Sequence, residues 1–246
     1  MELAVALAIV GLVLGSLTLP LSAQNDLRMR RETDKALGDI RDALIGFAIV
    51  NGRLPCPAVA TMAAGEAGAG SEARNDRGCL CARDSGSADA AGEDCARQAV
   101  TGVLPWNTLG LPETDSYGRR FTYGLDPRFG RLPGQGAFGC EPAAIPLRSG
   151  FALCSSGRIA IKAGSGGASL VSGGTPAIVV SHGRNGYGAY APQGLRIQTQ
   201  PAADPGEQEN ANGDETFVSN PGFDDQLVWI ATPILMQRML AAGMLP

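Results

Sequence analysis

Charge disappears from the chain between Leu3 and Ala23, where the run LAVALAIVGLVLGSLTLPLSA follows a single carboxylate at Glu2. An uncharged apolar run of about 20 residues is long enough to cross a bilayer as a helix. Beyond Ala23 the pattern changes without breaking. Leu37, Ile40, Leu44 and Phe47 recur at three- and four-residue steps, while Arg30, Asp34, Asp39, Arg41 and Asp42 fall largely elsewhere. That spacing predicts a continuing helix with one apolar face. The helix should stop near Gly52, because Pro55 and Pro57 on either side of Cys56 cannot continue it. The chain therefore divides into an apolar half-helix over 1–23, an amphipathic half-helix over 24–52 and a head over 53–246. Glu2 is the exception in the apolar half. A carboxylate drawn toward the centre of such a span costs roughly 2.5–3.5 kcal/mol, so it calls for a partner, and an amine from another chain would neutralise it.

The amphipathic half needs a cover, and the head offers strand-like runs in GRRFTYGLD, SGFALCSS, GRIAIKA and TPAIVVSHG, separated by turn residues. These runs are too short and too often broken by Gly for a parallel βαβ sheet. The expected fold class is α+β, a long N-terminal helix packed on an antiparallel sheet. The segment 58–95 is rich in Ala, Gly, Ser and acidic residues and buries too little apolar surface to order itself. It is expected to be a surface loop tied down by Cys79, Cys81 and Cys95. Near the C-terminus, QLVWIA reads as a strand. ILMQRMLAAG after it reads as a helix beginning at Pro233 and capped by Thr232, which packs under the sheet or reaches a neighbour.

Composition narrows the function classes. The net charge of −4 gives no basic footprint, so no nucleic-acid partner is indicated. The six cysteines Cys56, Cys79, Cys81, Cys95, Cys140 and Cys154 all follow the helix, and an even count in an exported chain reads as a disulfide set with fifteen open pairings. Cys79-Leu80-Cys81 lacks the C-x-x-C spacing of a metal site, and the single histidine, His182, is distant in sequence. His182 follows Ser181, but neighbours on a strand point to opposite faces, which makes a poor nucleophile and base pair. No G-x-S-x-G turn, phosphate loop, haem motif or dinucleotide fingerprint occurs, so catalysis is not expected.

Glu2-Leu3, the Ala/Val/Leu/Ile run, Gly11 in its middle and Pro20 near its end resemble the N-terminal helix of type IV pilins and type II secretion pseudopilins. PWNTLGLPETDSYGRRFTY also resembles a segment of large pilin-like proteins. The resemblance implies a filament subunit, a major or minor pilin or a pseudopilin. Its apolar half-helix would sit in the bacterial inner membrane with a periplasmic head, then form the core of an extracellular or periplasmic filament with other pilin subunits. Glu2, Gly11 and Pro20 would be the assembly residues, with Glu2 setting register. In that family a prepilin peptidase removes a basic leader before the apolar tag and the first residue is methylated. Only Met1 precedes Glu2 here, so the natural start is expected to lie upstream or the chain to be near its mature form. The rival reading is a secretory signal peptide cleaved after LPLSA, near Ala23, ahead of a secreted hydrolase or binding domain.

Ser181-His182-Gly183-Arg184-Asn185-Gly186 ends a strand and opens a polar loop reaching Asp224-Asp225, with Trp229 beyond. This arrangement resembles the calcium-binding loop of the major pseudopilin. The resemblance implies calcium as a candidate cofactor, with Asp214, Glu215, Asp224 and Asp225 as ligands. Calcium takes six to eight oxygens, which carboxylates, carbonyls of a Gly-rich loop and water could supply.

Overall fold

A computed structural model of the chain describes residues 2–75, 78–82, 88–89, 99–135, 140, 148–164, 169–197 and 205–245; the side chains of residues 2–23, 81–82 and 88–89 lie outside the description. The protein is α+β. Helix α1 (Glu2–Asn51) opens it, followed by the short pairs β1 (Arg74–Asn75) with β2 (Gly78–Cys79) and β3 (Cys81–Ala82) with β4 (Ala88–Asp89). Then come β5 (Val100–Val103), α2 (Trp106–Leu109), β6 (Thr122–Leu125), β7 (Ile159–Ala163), β8 (Ser169–Thr175) and β9 (Ala177–Ser181). The chain ends with α3 (Pro205–Ala211), β10 (Thr216–Ser219), β11 (Gln226–Ile230) and α4 (Thr232–Ala241).

The main sheet has the order β11-β9-β6-β5 and is antiparallel throughout. One face of it meets the C-terminal half of α1 and helix α4, in a core that joins Leu37, Ile40 and Leu44 to Tyr123, Leu125, Val179, Leu235 and Met239. The other face meets a second sheet, ordered β10-β7-β8, through Ile178 and Val180 against Ile159, Ile161 and Phe217. Coverage on both faces explains why β9 is buried at every position and reads as a solid apolar run rather than an alternation. The second sheet departs from the antiparallel expectation at one place. β10 runs parallel to β7, which a long crossover through β8, β9 and α3 permits.

On α1 the buried positions are Leu37, Ile40, Leu44, Ile45 and Ala48. Phe47, expected on this face, is only half-buried and lies under the Arg53 guanidinium, 5.2 Å from ring centroid to charge. Gly52 ends the helix with a φ of +69°, and its N–H bonds the Ala48 carbonyl at 2.8 Å. Any side chain there would collide with the Arg148 carbonyl, 2.1 Å from an added Cβ. Among the described residues no helix is long and apolar enough to cross a membrane; the run Leu3–Ala23 lies where side chains are not described.

One local expectation changes and another gains detail. Ala231, not Thr232, is the N-cap of α4, and the Thr232 hydroxyl donates instead to the Gly174 carbonyl at 2.5 Å, tying the helix start to β8. The described part of the segment after Ala58 is exposed over 64–68, as a surface loop should be, and is held down by more than the Cys56–Cys79 disulfide. Ala58 and Ala60 are buried against Val103, the Ala58 backbone pairs with Val103 and Glu72, and Glu72 makes a bidentate pair with Arg53 at 2.6 and 2.7 Å. Backbone pairing and one buried ion pair order a sequence with little apolar surface of its own. The remainder of the segment, 76–77, 83–87 and 90–95, lies outside the described residues.

Candidate functional site

At one end of the main sheet the antiparallel register sets Ser181 opposite Gln226, so the next pair, His182 and Asp225, meet just past the last ladder rung. Asp224 and Phe223 continue the turn from β10. Helix α3 lies along β10 and contributes Glu207 and Asn210, three residues apart and therefore on one face. Asn210 docks it. Its side-chain carbonyl accepts from the Val218 N–H at 2.7 Å, and its amide donates to the Val218 carbonyl at 3.0 Å and to Asp225 Oδ2 at 2.9 Å. From the other side the Asn185 N–H donates to Asp224 Oδ2 at 2.6 Å, and the Asn185 amide donates to both Glu207 oxygens at 3.1 and 3.3 Å. Gly183, with a φ of +52°, lets the turn approach so closely that an added Cβ would lie 2.2 Å from the Asp224 carbonyl.

The result is a partly buried cluster in which Glu207, Asp224 and Asp225 each place a carboxylate oxygen within 4.8 Å of the others. His182 stands beside it, 1% exposed, with Nε2 hydrogen-bonded to the Thr122 hydroxyl at 2.9 Å and Nδ1 3.8 Å from Asp225 Oδ1. Three atoms here are buried and make no hydrogen bond: His182 Nδ1, Asp224 Oδ1 and Asp225 Oδ1. Burial, reinforced by the charges of Asp224 and Glu207 against the bond from Asn210, pushes the Asp225 carboxyl up to about 8. Burial and the nearby Arg196 and Arg119 guanidiniums push His182 down to about 3. Burial thus favours the neutral form of both side chains.

A hydrolytic relay does not follow from the line Thr122, His182, Asp225. The Nδ1 to Oδ1 separation of 3.8 Å is too long for the orienting hydrogen bond, and Thr122 is itself buried, so no substrate reaches its hydroxyl. Ser181 is occupied on the opposite side of the strand, where its hydroxyl donates to the buried Asp115 carboxylate at 2.6 Å.

Of the four acidic residues proposed for calcium, the structure brings only Asp224 and Asp225 together. Asp214 closes its own turn, accepting from the Thr216 N–H at 2.6 Å and from the Asn212 amide at 3.0 Å. Glu215 accepts from the Ala99 N–H at 3.0 Å and faces Arg158 at 3.6 Å, on the far side of β10. Glu207 takes their place, and its only mark in the sequence is the Glu-x-x-Asn spacing inside PGEQENA. Two disulfides, Cys56–Cys79 and Cys140–Cys154, resolve part of the pairing that the sequence left open. Among the described residues no cysteine is free; the Cys81 side chain and Cys95 lie outside them. The side chains of Glu2, Gly11 and Pro20 also lie outside the described residues. Compared with known proteins, the chain matches no family model, no curated protein and no solved structure.

Proposed function

We propose that this chain is a structural subunit of a type IV pilus or type II secretion-type filament, inserted in the bacterial inner membrane before assembly. The observation that supports the reading is α1, one helix of 50 residues whose second half buries one face against the head and whose first half carries the uncharged run behind Glu2. At about 1.5 Å per residue the uncharged run Leu3–Ala23 is roughly 31 Å long, the thickness of a bilayer core. The head contacts of the described part begin near Asp26, which pairs with Arg184 at 2.7 Å, and Arg30, which donates to the Phe223 carbonyl at 3.2 Å. A four-stranded antiparallel sheet laid across the amphipathic half agrees with the pilin-like architecture that the N-terminal resemblance implies.

In this reading the partners are a prepilin peptidase, which processes the N-terminus, and further pilin subunits, whose apolar half-helices pack around Glu2. The Glu2 carboxylate meets the N-terminal amine of a neighbour in an environment without water, where a charge-assisted bond is strong and fixes the register of one subunit on the next. The role is assembly rather than catalysis. Glu2→Ala should therefore insert normally and fail to form filaments when expressed with its native assembly machinery, as seen by electron microscopy of sheared cell-surface fractions. Normal filaments from that variant would overturn the register role, and a natural N-terminus at Gln24 would overturn the filament reading in favour of an exported hydrolase or binding domain.

A further inference from the structure

We propose that His182, Glu207, Asp224 and Asp225 form a site for one first-row divalent cation of the zinc or manganese class. The inference concerns the head alone and does not rest on the filament reading. Three carboxylate oxygens within 4.8 Å of one another bring negative charge together at the sheet end, but acidic clusters are common on protein surfaces. What distinguishes this one is how the second atom of each group is held. His182 Nε2 is engaged by the Thr122 hydroxyl, Asp225 Oδ2 by the Asn210 amide and Asp224 Oδ2 by the Asn185 N–H, while both Glu207 oxygens receive the Asn185 amide. The remaining atoms, His182 Nδ1, Asp225 Oδ1 and Asp224 Oδ1, are buried without a hydrogen bond. His182, Asp224 and Asp225 are thus each fixed through one atom with the other left open, and Glu207 is held at the cluster's edge by the Asn185 amide, the arrangement of a metal site and its supporting shell.

The donor set selects the ion. In the tautomer whose Nε2–H donates to Thr122, Nδ1 carries the lone pair 3.8 Å from Asp225 Oδ1, and an imidazole nitrogen beside carboxylates favours zinc, manganese or iron over calcium and magnesium, which take oxygen. This differs from an all-oxygen calcium site on Asp214, Glu215, Asp224 and Asp225, two of which point elsewhere. The guanidiniums of Arg119 and Arg196 oppose a cation, but each is turned to a backbone carbonyl, Gly183 and Ala211, and two positive groups face three carboxylates.

The test uses the full chain purified in detergent, stripped with chelator and dialysed against manganese chloride, zinc sulfate or calcium chloride. One equivalent of manganese or zinc should be retained in preference to calcium, and the manganese electron paramagnetic resonance signal should show coupling to one nitrogen. Glu207→Gln and Asp224→Asn should each weaken retention roughly tenfold or more, and Thr122→Val, which removes the bond that orients the imidazole, by roughly tenfold to a hundredfold. His182→Gln should abolish the nitrogen coupling; because His182 is fully buried, the Glu207 and Asp224 variants keep the test readable if that protein does not fold. No retained ion, equal retention by the Glu207→Gln and Asp224→Asn variants, or calcium bound without nitrogen coupling would each overturn the proposal.

Discussion

Arg120 is the largest fully buried side chain among the described residues, and replacing it by Met should be strongly destabilising. Its guanidinium donates to the carbonyls of Ala60 at 3.0 Å, Met62 at 2.7 Å and Pro192 at 2.9 Å, pairs with Glu113 at 2.7 Å, and stacks on Trp106 with 4.7 Å to the ring centroid. One side chain thus ties the loop after Ala58 and the turn before Leu195 to β6. Removing one member of a buried ion pair costs about 3–5 kcal/mol, because the other charge and its acceptors lose their compensation. Glu113 is 25% exposed and can regain water, which places the cost near the lower end, about 3 kcal/mol. For a head of this size the melting temperature falls by roughly 2–4 °C per kcal/mol, so a drop of about 6–12 °C is expected. Thermal melting of the full chain in detergent, followed by tryptophan fluorescence, reads it. Lys35→Met serves as control, since its pair with Asp39 is exposed and worth well under about 1 kcal/mol. A melting point for Arg120→Met within about 2 °C of the parent would refute the view that converging carbonyls, rather than apolar packing, hold these loops.

Two further predictions concern stability. Asp225 keeps its proton in the folded head up to about 8, whereas an unfolded carboxyl loses it near 3.8, so the folded state is weakened progressively as pH rises through that window. His182 has the opposite slope, since it resists protonation down to about 3 against 6.5 when unfolded, and stability is lost as pH falls through that range. In chelator, Asp225→Asn should flatten the fall in melting temperature on the alkaline side and leave the acid side in place; an unchanged alkaline slope would count against a buried neutral carboxyl. Replacing both Cys56 and Cys79 by Ser opens a link across 23 residues and should lower stability on the order of 3 kcal/mol, with protease cleavage appearing between Leu54 and Asn75 before the rest of the head. Peptide mapping that shows unchanged protection there would mean that the Arg53–Glu72 pair suffices.

The parts of the fold legible in the sequence were those set by local periodicity. Leu37, Ile40 and Leu44 lie on the buried face of α1 because three- and four-residue steps leave no other arrangement, and Gly52 ends the helix where a positive φ was needed. AIVV reads as a buried strand from its uninterrupted apolar character. What covers its second face does not, because the β10 to β7 pairing joins residues more than fifty positions apart and nothing local encodes it. Phe47 lies at the edge of the core face, under the Arg53 guanidinium, and Arg120 went the other way. An Arg-Arg doublet in a polar turn reads as surface, yet the second of the two is buried by backbone carbonyls from three distant turns, which no side-chain pattern records.

The candidate site shows the same division. Counting carboxylates along the chain finds Asp214, Glu215, Asp224 and Asp225, but the four extended residues of β10 separate the first two from the last two by about 13 Å before any turn is added. Strand alternation was sound as far as it went, since Ser181 and His182 do bond opposite partners, Asp115 and Thr122. It could exclude a nucleophile and base pair, but not say what the histidine faces. That depends on the register of β11 against β9, which puts Asp225 across from His182, and on α3, whose Asn210 both anchors the helix to β10 and holds Asp225. The deciding property is therefore not acidity, which is spread along the whole segment from Glu207 to Asp225, but which polar atoms are left buried with nothing to bond. Asp214 and Glu215 have their partners within their own turn and across β10; His182, Asp224 and Asp225 each keep one buried atom with no hydrogen bond, and the proposed ligand chemistry rests on those three atoms.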